Sequence, residues 1–146
     1  MTMQGFHFVG NTADAAAMAA YMRNQFPFVG VKTPARKHQL RPLLQASRTW
    51  PTEQVLAAVA ALYARPEREY QYAAIDLARK HVRAYQLADI QALASYVTVK
   101  PWWDTVDAWR PLFWDYVNLH PEQLGAVWAL FFGQPDFWLR RVAITL

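Results

Sequence analysis

Apolar positions recur along this chain at helical spacing. Tyr70, Ala73, Ala74 and Leu77 fall at i, i+3, i+4 and i+7, and Val55, Leu56, Val59 and Leu62 form a similar stripe one segment earlier. Val, Ile and Thr never alternate with polar residues over a useful window, and glycine is scarce, so strands are not expected. Proline or a Ser/Thr/Asn/Asp cap recurs where the apolar periodicity restarts. The first predicted helix covers about 12–26, from an Asn11/Thr12 cap to Pro27, which restricts Phe26. Thr33 caps a second, which Pro42 should kink or split. Thr52 caps a third, Pro66-Glu67 opens a fourth, and a fifth covers about 88–97. Pro101, Pro121 and Pro135-Asp136 open the sixth, seventh and eighth, the last running to the chain end.

Eight helices with short connections predict an all-α fold of about four antiparallel helix pairs in one domain, 1–146. Stacked pairs of this kind build a superhelical solenoid with a concave binding face. A globular bundle has the same periodicity, and self-similarity between the pairs is weak.

Composition narrows the class. A 54% hydrophobic content excludes a disordered chain, yet the apolar runs are too short and interrupted to span a bilayer. The N-terminus lacks the pattern of a signal peptide, so a soluble, cytoplasmic protein is expected, with no membrane partner. Without cysteine there is no disulfide framework, thiolate metal site or thiol nucleophile. His7, His38, His81 and His120 are widely separated and show no metal-ligand spacing, so a zinc site is not expected, and the chain has no phosphate-binding glycine loop. Charge is uneven. Residues 1–41 hold Arg23, Lys32, Arg36, Lys37 and Arg41 against Asp14 alone, while the rest is neutral. A basic end on a neutral body suits an anionic partner such as nucleic acid, or is simply a solvated helix face.

The most unusual segment is Lys100-Pro-Trp-Trp-Asp-Thr-Val-Asp107. Trp103 and Asp107 stand at i and i+4, on one helical face, where an aromatic ring and a carboxylate can jointly hold a cation. Buried packing for the Trp and a plain helical role for the Asp explain the same spacing. Asp104 reads as a first-turn charge favouring the helix dipole, and Trp102 as core. Trp50, Trp109, Trp114, Trp128 and Trp138 read as packing, and Glu67-Arg68-Glu69 as a solvated helix start. Arg140-Arg141 suits either phosphate contact or a helix flank.

Four stretches together resemble the DNA alkylation repair family, HEAT-like-repeat glycosylases acting on alkylated purines. They are Tyr21-Met-Arg-Asn-Gln-Phe-Pro-Phe-Val-Gly-Val-Lys-Thr-Pro-Ala-Arg36, Arg65-Pro-Glu-Arg-Glu-Tyr-Gln-Tyr-Ala-Ala74, Lys100 to Asp107, and Phe137-Trp-Leu-Arg-Arg-Val-Ala-Ile144. The resemblance implies a HEAT-like solenoid. It places the family's catalytic aspartate on Asp107, an active-site tryptophan on Trp103, a cleft tyrosine on Tyr21 and a DNA-backbone arginine on Arg141. Lys32, Arg36, Lys37 and Arg140 join these as candidate phosphate contacts.

The implied reaction is hydrolysis of the N-glycosidic bond of N3- or N7-alkylated purines in double-stranded DNA, with no cofactor. The family continues through further helix pairs, which carry another active-site tryptophan and more of the basic cleft wall. The chain to Leu146 therefore reads as a truncated product, a fragment, or a half that associates with another chain through its exposed C-terminal helix. The alternative function is a catalytically incomplete DNA-binding module or protein scaffold of the same fold.

Overall fold

Asn11 starts the first helix. Its backbone is extended, and its side chain accepts from the Asp14 amide at 2.7 Å, capping α1, Thr12–Tyr21. In this computed structural model, which describes residues 3–146, eight α-helices and five short 3-10 turns follow one another, with no strand among the described residues. The all-α expectation holds. The chain divides into two compact units, Met1–Leu77 and Ala78–Leu146, with the boundary falling within the sequence of the fourth helix.

In the first unit, α1 ends five residues earlier than the sequence suggested. The Asn24 amide reaches the Ala19 carbonyl at 2.7 Å and the Arg23 amide reaches Ala20 at 3.0 Å, with Arg23 at φ 56° and Asn24 at φ 55°. This left-handed reversal closes the helix before Pro27 has any say. Helix α2 spans Thr33–Ala46 with Lys32 as its N-cap, and Pro42 sits inside it without splitting it. Buried Leu40 and Leu43 anchor that helix. Burying a leucine contributes roughly 1.5–3 kcal/mol, so the two together match the roughly 3 kcal/mol an interior proline costs.

Helix α3, Thr52–Tyr63, begins at Thr52 with Pro51 as its N-cap, so Thr52 opens the helix and does not cap it. Of the predicted stripe Val55, Val59 and Leu62 are fully buried but Leu56 is only half-buried, and Ala58 and Tyr63 complete the buried face. Helix α4 runs Arg68–Lys80, and its Tyr70, Ala73, Ala74 and Leu77 stripe is buried.

The Glu67-Arg68-Glu69 stretch corrects the sequence reading. Arg68 and Glu69 are fully buried. The Glu69 carboxylate accepts from the amides of Val29, Gly30 and Val31 at 2.8, 2.8 and 3.0 Å. The Arg68 guanidinium lies 3.6 Å from the centre of the Phe26 ring. A buried carboxylate is tolerated because three amides solvate it in place of water. Gly30 is required there: its φ is +94°, and a Cβ would meet the Asn11 carbonyl oxygen at 2.0 Å.

In the second unit, α5 covers Leu87–Ala94 behind a capping box of Gln86 and Asp89, and a 3-10 turn carries the chain on to Thr98. Helix α6, Trp103–Leu119, is the longest, with Trp102 as its N-cap. A 3-10 turn at Pro121–Gln123 leads into α7, Leu124–Ala129. Asp136 caps α8, Phe137–Ala143, through bonds to the amides of Trp138 and Leu139, and α8 stops short of the chain end.

One face of α6 supplies this unit's core. Val106, Trp109, Leu112, Phe113 and Tyr116 are fully buried. Trp109 stacks with Tyr96 at 6.0 Å, and Phe113 meets Phe131 edge-on at 4.7 Å. That packing offsets the penalty of Pro111 in the helix interior, and it fixes the orientation of the opposite face.

Candidate functional site

The outward stripe of α6 carries Trp103, Asp107, Arg110 and Trp114, spaced i, i+4, i+7 and i+11. Trp103 is 42% exposed and Trp114 47%, whereas Trp109 between them is fully buried. The i, i+4 spacing thus brings Trp103 and Asp107 to one face, as expected. Trp114, a packing residue by the sequence expectation, stands instead on the same outward stripe. Trp128 is also exposed, at 37%, while Trp50, Trp102 and Trp138 are partly buried.

Asp107 is held from two helices. Arg141 of α8 grips it with both prongs, Nε to Oδ1 at 2.7 Å and Nη2 to Oδ2 at 2.8 Å. This fork matches the planar geometry of a carboxylate. Arg110, one turn along α6, adds a third bond from Nη1 to Oδ1 at 3.1 Å. Its Nε reaches the Thr145 hydroxyl at 3.3 Å, and that hydroxyl donates to the Val142 carbonyl at 2.9 Å. The Arg141 hydrogen bond, reinforced by Arg110, holds the Asp107 carboxyl below its ordinary pKa against the opposing effect of burial. The same pairing raises Arg141.

Beside the carboxylate lies a cavity of about 330 Å³ lined by Asp107, Arg110, Pro111, Trp114 and Thr145. Pro111 stands one turn beyond Asp107 and has no N–H to offer the Asp107 carbonyl. The cavity therefore combines an aromatic wall, a carboxylate and a guanidinium, a suitable lining for a flat heteroaromatic ring.

The remaining residues singled out in the sequence are placed as follows. Arg140 is exposed and donates to the carbonyls of Gln134 and Pro135, bracing the turn before α8. In the first unit, Tyr21 is 74% exposed, at the end of α1. Lys32 is exposed and pairs loosely with Asp14 at 3.7 Å, and Lys37 is exposed on α2. Arg36 differs from its neighbours. It is buried, bonded to Asp76 at 3.0 Å and stacked over Tyr72, so its charge is already neutralised. Among the described residues no three His, Asp or Glu side chains gather as a metal would require, and no helix is long and apolar enough to cross a membrane.

Sequence reasoning missed Arg110 and Trp114. The signal was available, since both lie on the helical stripe set by Trp103 and Asp107. The abundance of tryptophan concealed it.

A family model described as DNA alkylation repair enzyme matches residues 2–146. Among solved structures, a protein from Enterococcus faecalis described as a predicted DNA alkylation repair enzyme superposes with a TM-score of 0.93 at 45% sequence identity. The match covers 97% of this chain and 66% of that one, so this chain spans just under two thirds of its relative's length. No curated protein matches the chain. The solenoid-type helical class expected from the sequence agrees with this likeness. With the family model covering nearly its whole length, the chain belongs to the DNA alkylation repair enzyme family.

Proposed function

We propose that the chain is a DNA glycosylase, or the part of one that carries the catalytic carboxylate, and that it hydrolyses the N-glycosidic bond of N3- or N7-alkylated purines. The observation that carries this reading is Asp107, held ionised at a cavity edge between two half-exposed tryptophans on one helical stripe. Membership of a DNA alkylation repair family supports DNA as the partner.

An alkylated purine carries a formal positive charge and leaves readily. The C1′–N bond electrons move onto the purine, discharging it, while positive charge builds over C1′ and the ring oxygen of the deoxyribose. Asp107 stabilises that charge electrostatically and orients the water that adds at C1′. Addition of the water, with loss of its proton to solvent, leaves a free alkylated base and an abasic site. Trp103 offers a π face to the cationic nucleotide. Arg141, Lys32, Lys37 and Arg140 offer charge to phosphates, and Tyr21 offers a polar aromatic contact. In the free chain two guanidiniums outnumber the single carboxylate, so Asp107 is best exposed once a backbone phosphate draws Arg141 away.

Incubation with duplex containing 7-methylguanine or 3-methyladenine, followed by chromatography of released bases, tests the reaction. Release above the spontaneous rate is expected, and it should disappear in Asp107→Asn. A protein that binds alkylated duplex yet releases nothing above background refutes catalysis by this chain.

A second reading, a scaffold or incomplete module that docks other helices, is favoured by a different surface. Trp128 and Phe132 stack at 3.8 Å beside an apolar cavity of about 500 Å³, and Ile144 is 82% exposed at its edge. Light scattering that shows a strict monomer at high concentration counts against self-association through this surface.

A further inference from the structure

Arg141 carries two duties in the proposed reaction, and they conflict. Its fork supplies two of the three bonds that orient Asp107, yet in the proposed function the same guanidinium serves a backbone phosphate. Phosphate competes well for such a fork. If Arg141 were the sole holder, binding DNA would release the Asp107 side chain when its position matters most.

Arg110 is placed to prevent that. Its side chain is 22% exposed, against 37% for Arg141. It is also anchored twice, on Asp107 and on Thr145, whose hydroxyl is tied to the Val142 carbonyl. The chain from Asp107 through Arg110 and Thr145 to Val142 links α6 to α8 without passing through Arg141. Pro111, directly after Arg110, has its φ fixed by its ring and restricts the backbone of the residue before it.

We infer that Arg110 is a positioning residue: braced by Thr145, it holds the Asp107 carboxylate in place while Arg141 exchanges from Asp107 to a DNA phosphate. This rests on the glycosylase reading for its consequence and on the arginine geometry for its substance. It divides the two guanidiniums by role. Arg141 serves affinity and Arg110 serves orientation.

The charged groups around Asp107 allow a clean test. Among the described residues, Arg141 of α8 and Arg110 of α6 are the groups that lower its pKa. On the other elements packed against α6, Glu122 pairs with His120, Tyr96 stacks on Trp109, Arg140 bonds to carbonyls, and Arg83 adds nothing to the depression.

The experiment compares Arg110→Gln, Arg110→Lys and Arg141→Gln in the intact chain, with two readouts. The first is titration of the Asp107 carboxyl by carbon-detected NMR, with and without saturating unmodified duplex. The wild-type carboxyl should stay below its ordinary pKa in the complex. It should rise toward the ordinary value in Arg110→Gln with duplex, and Arg110→Lys should restore much of the depression. The second readout is base release from 7-methylguanine duplex. Arg110→Gln should lower the single-turnover rate on the order of tenfold to a hundredfold with duplex Kd unchanged. Arg141→Gln should instead weaken binding and reduce its logarithmic salt slope by about one.

An Asp107 titration in the complex that ignores Arg110→Gln overturns the inference. So does a loss in Arg110→Gln that falls on Kd and spares the rate. If wild-type protein releases no base, the glycosylase reading fails, while the NMR titration still decides the role of Arg110.

Discussion

Asp107 shows how one side chain couples stability to chemistry. Folded, it titrates below the ordinary carboxylate range, chiefly because Arg141 donates to it and Arg110 adds a further bond. Unfolded, it returns to about 3.9. A depressed carboxyl contributes stability that is fully present above its unfolded pKa and is lost as pH falls through the folded value. The difference in Tm between wild type and Asp107→Asn should therefore be flat from neutral pH down to about pH 5 and shrink in stronger acid. A gap that widens on acidification would mean the carboxyl is not held ionised by its partners. The i, i+4 relation of Trp103 to Asp107 was legible because it lies on one helix. The Arg141 fork was not, because it joins residues 34 apart. The same limit hid Glu69, whose three amide partners lie 38 to 40 residues away.

At the scale of elements, helix starts were easier to read than helix ends. Proline stands just before or within the first turn of most helices here, where its missing N–H has little consequence. The end of α1 escaped because its stop signal is conformational: Arg23 adopts left-handed geometry that usually calls for glycine. Holding a residue with a Cβ there costs roughly 1 kcal/mol. Arg23→Gly should consequently stabilise the chain by up to about 1 kcal/mol, seen as a higher urea midpoint with an unchanged m-value. An unchanged or lower midpoint would show that the Arg23 side chain makes a compensating contact. The interior prolines, Pro42 and Pro111, teach the converse. Each is accommodated because buried leucines or aromatics hold its helix together, information that local propensity does not contain.

For the whole molecule, the sequence revealed a basic N-terminal segment on a neutral remainder, and the fold sorts those charges by availability. Arg36 is committed to Asp76, whereas Lys37 and Arg41 are exposed. If DNA is the partner, Lys37→Gln should weaken binding uniformly across sequences and lower the logarithmic salt slope by about one. Arg36→Gln should act mainly on stability, since it leaves Asp76 without its bonded partner. Equal salt effects from both variants would contradict this division, and anisotropy titrations at several salt concentrations decide it. The helical class and family were readable across nearly the whole chain because apolar rhythm and local motifs are sequence properties.

Single-turnover release of 7-methylguanine from duplex DNA, wild type against Asp107→Asn, tests the central claim most directly. Loss of a preorganised electrostatic group of this kind lowers the rate by on the order of 10²–10³, and a drop of that size with duplex binding retained is the expected result. Equal release by the two proteins, or no release by the wild type, would contradict the assignment of Asp107 as the catalytic group of this chain.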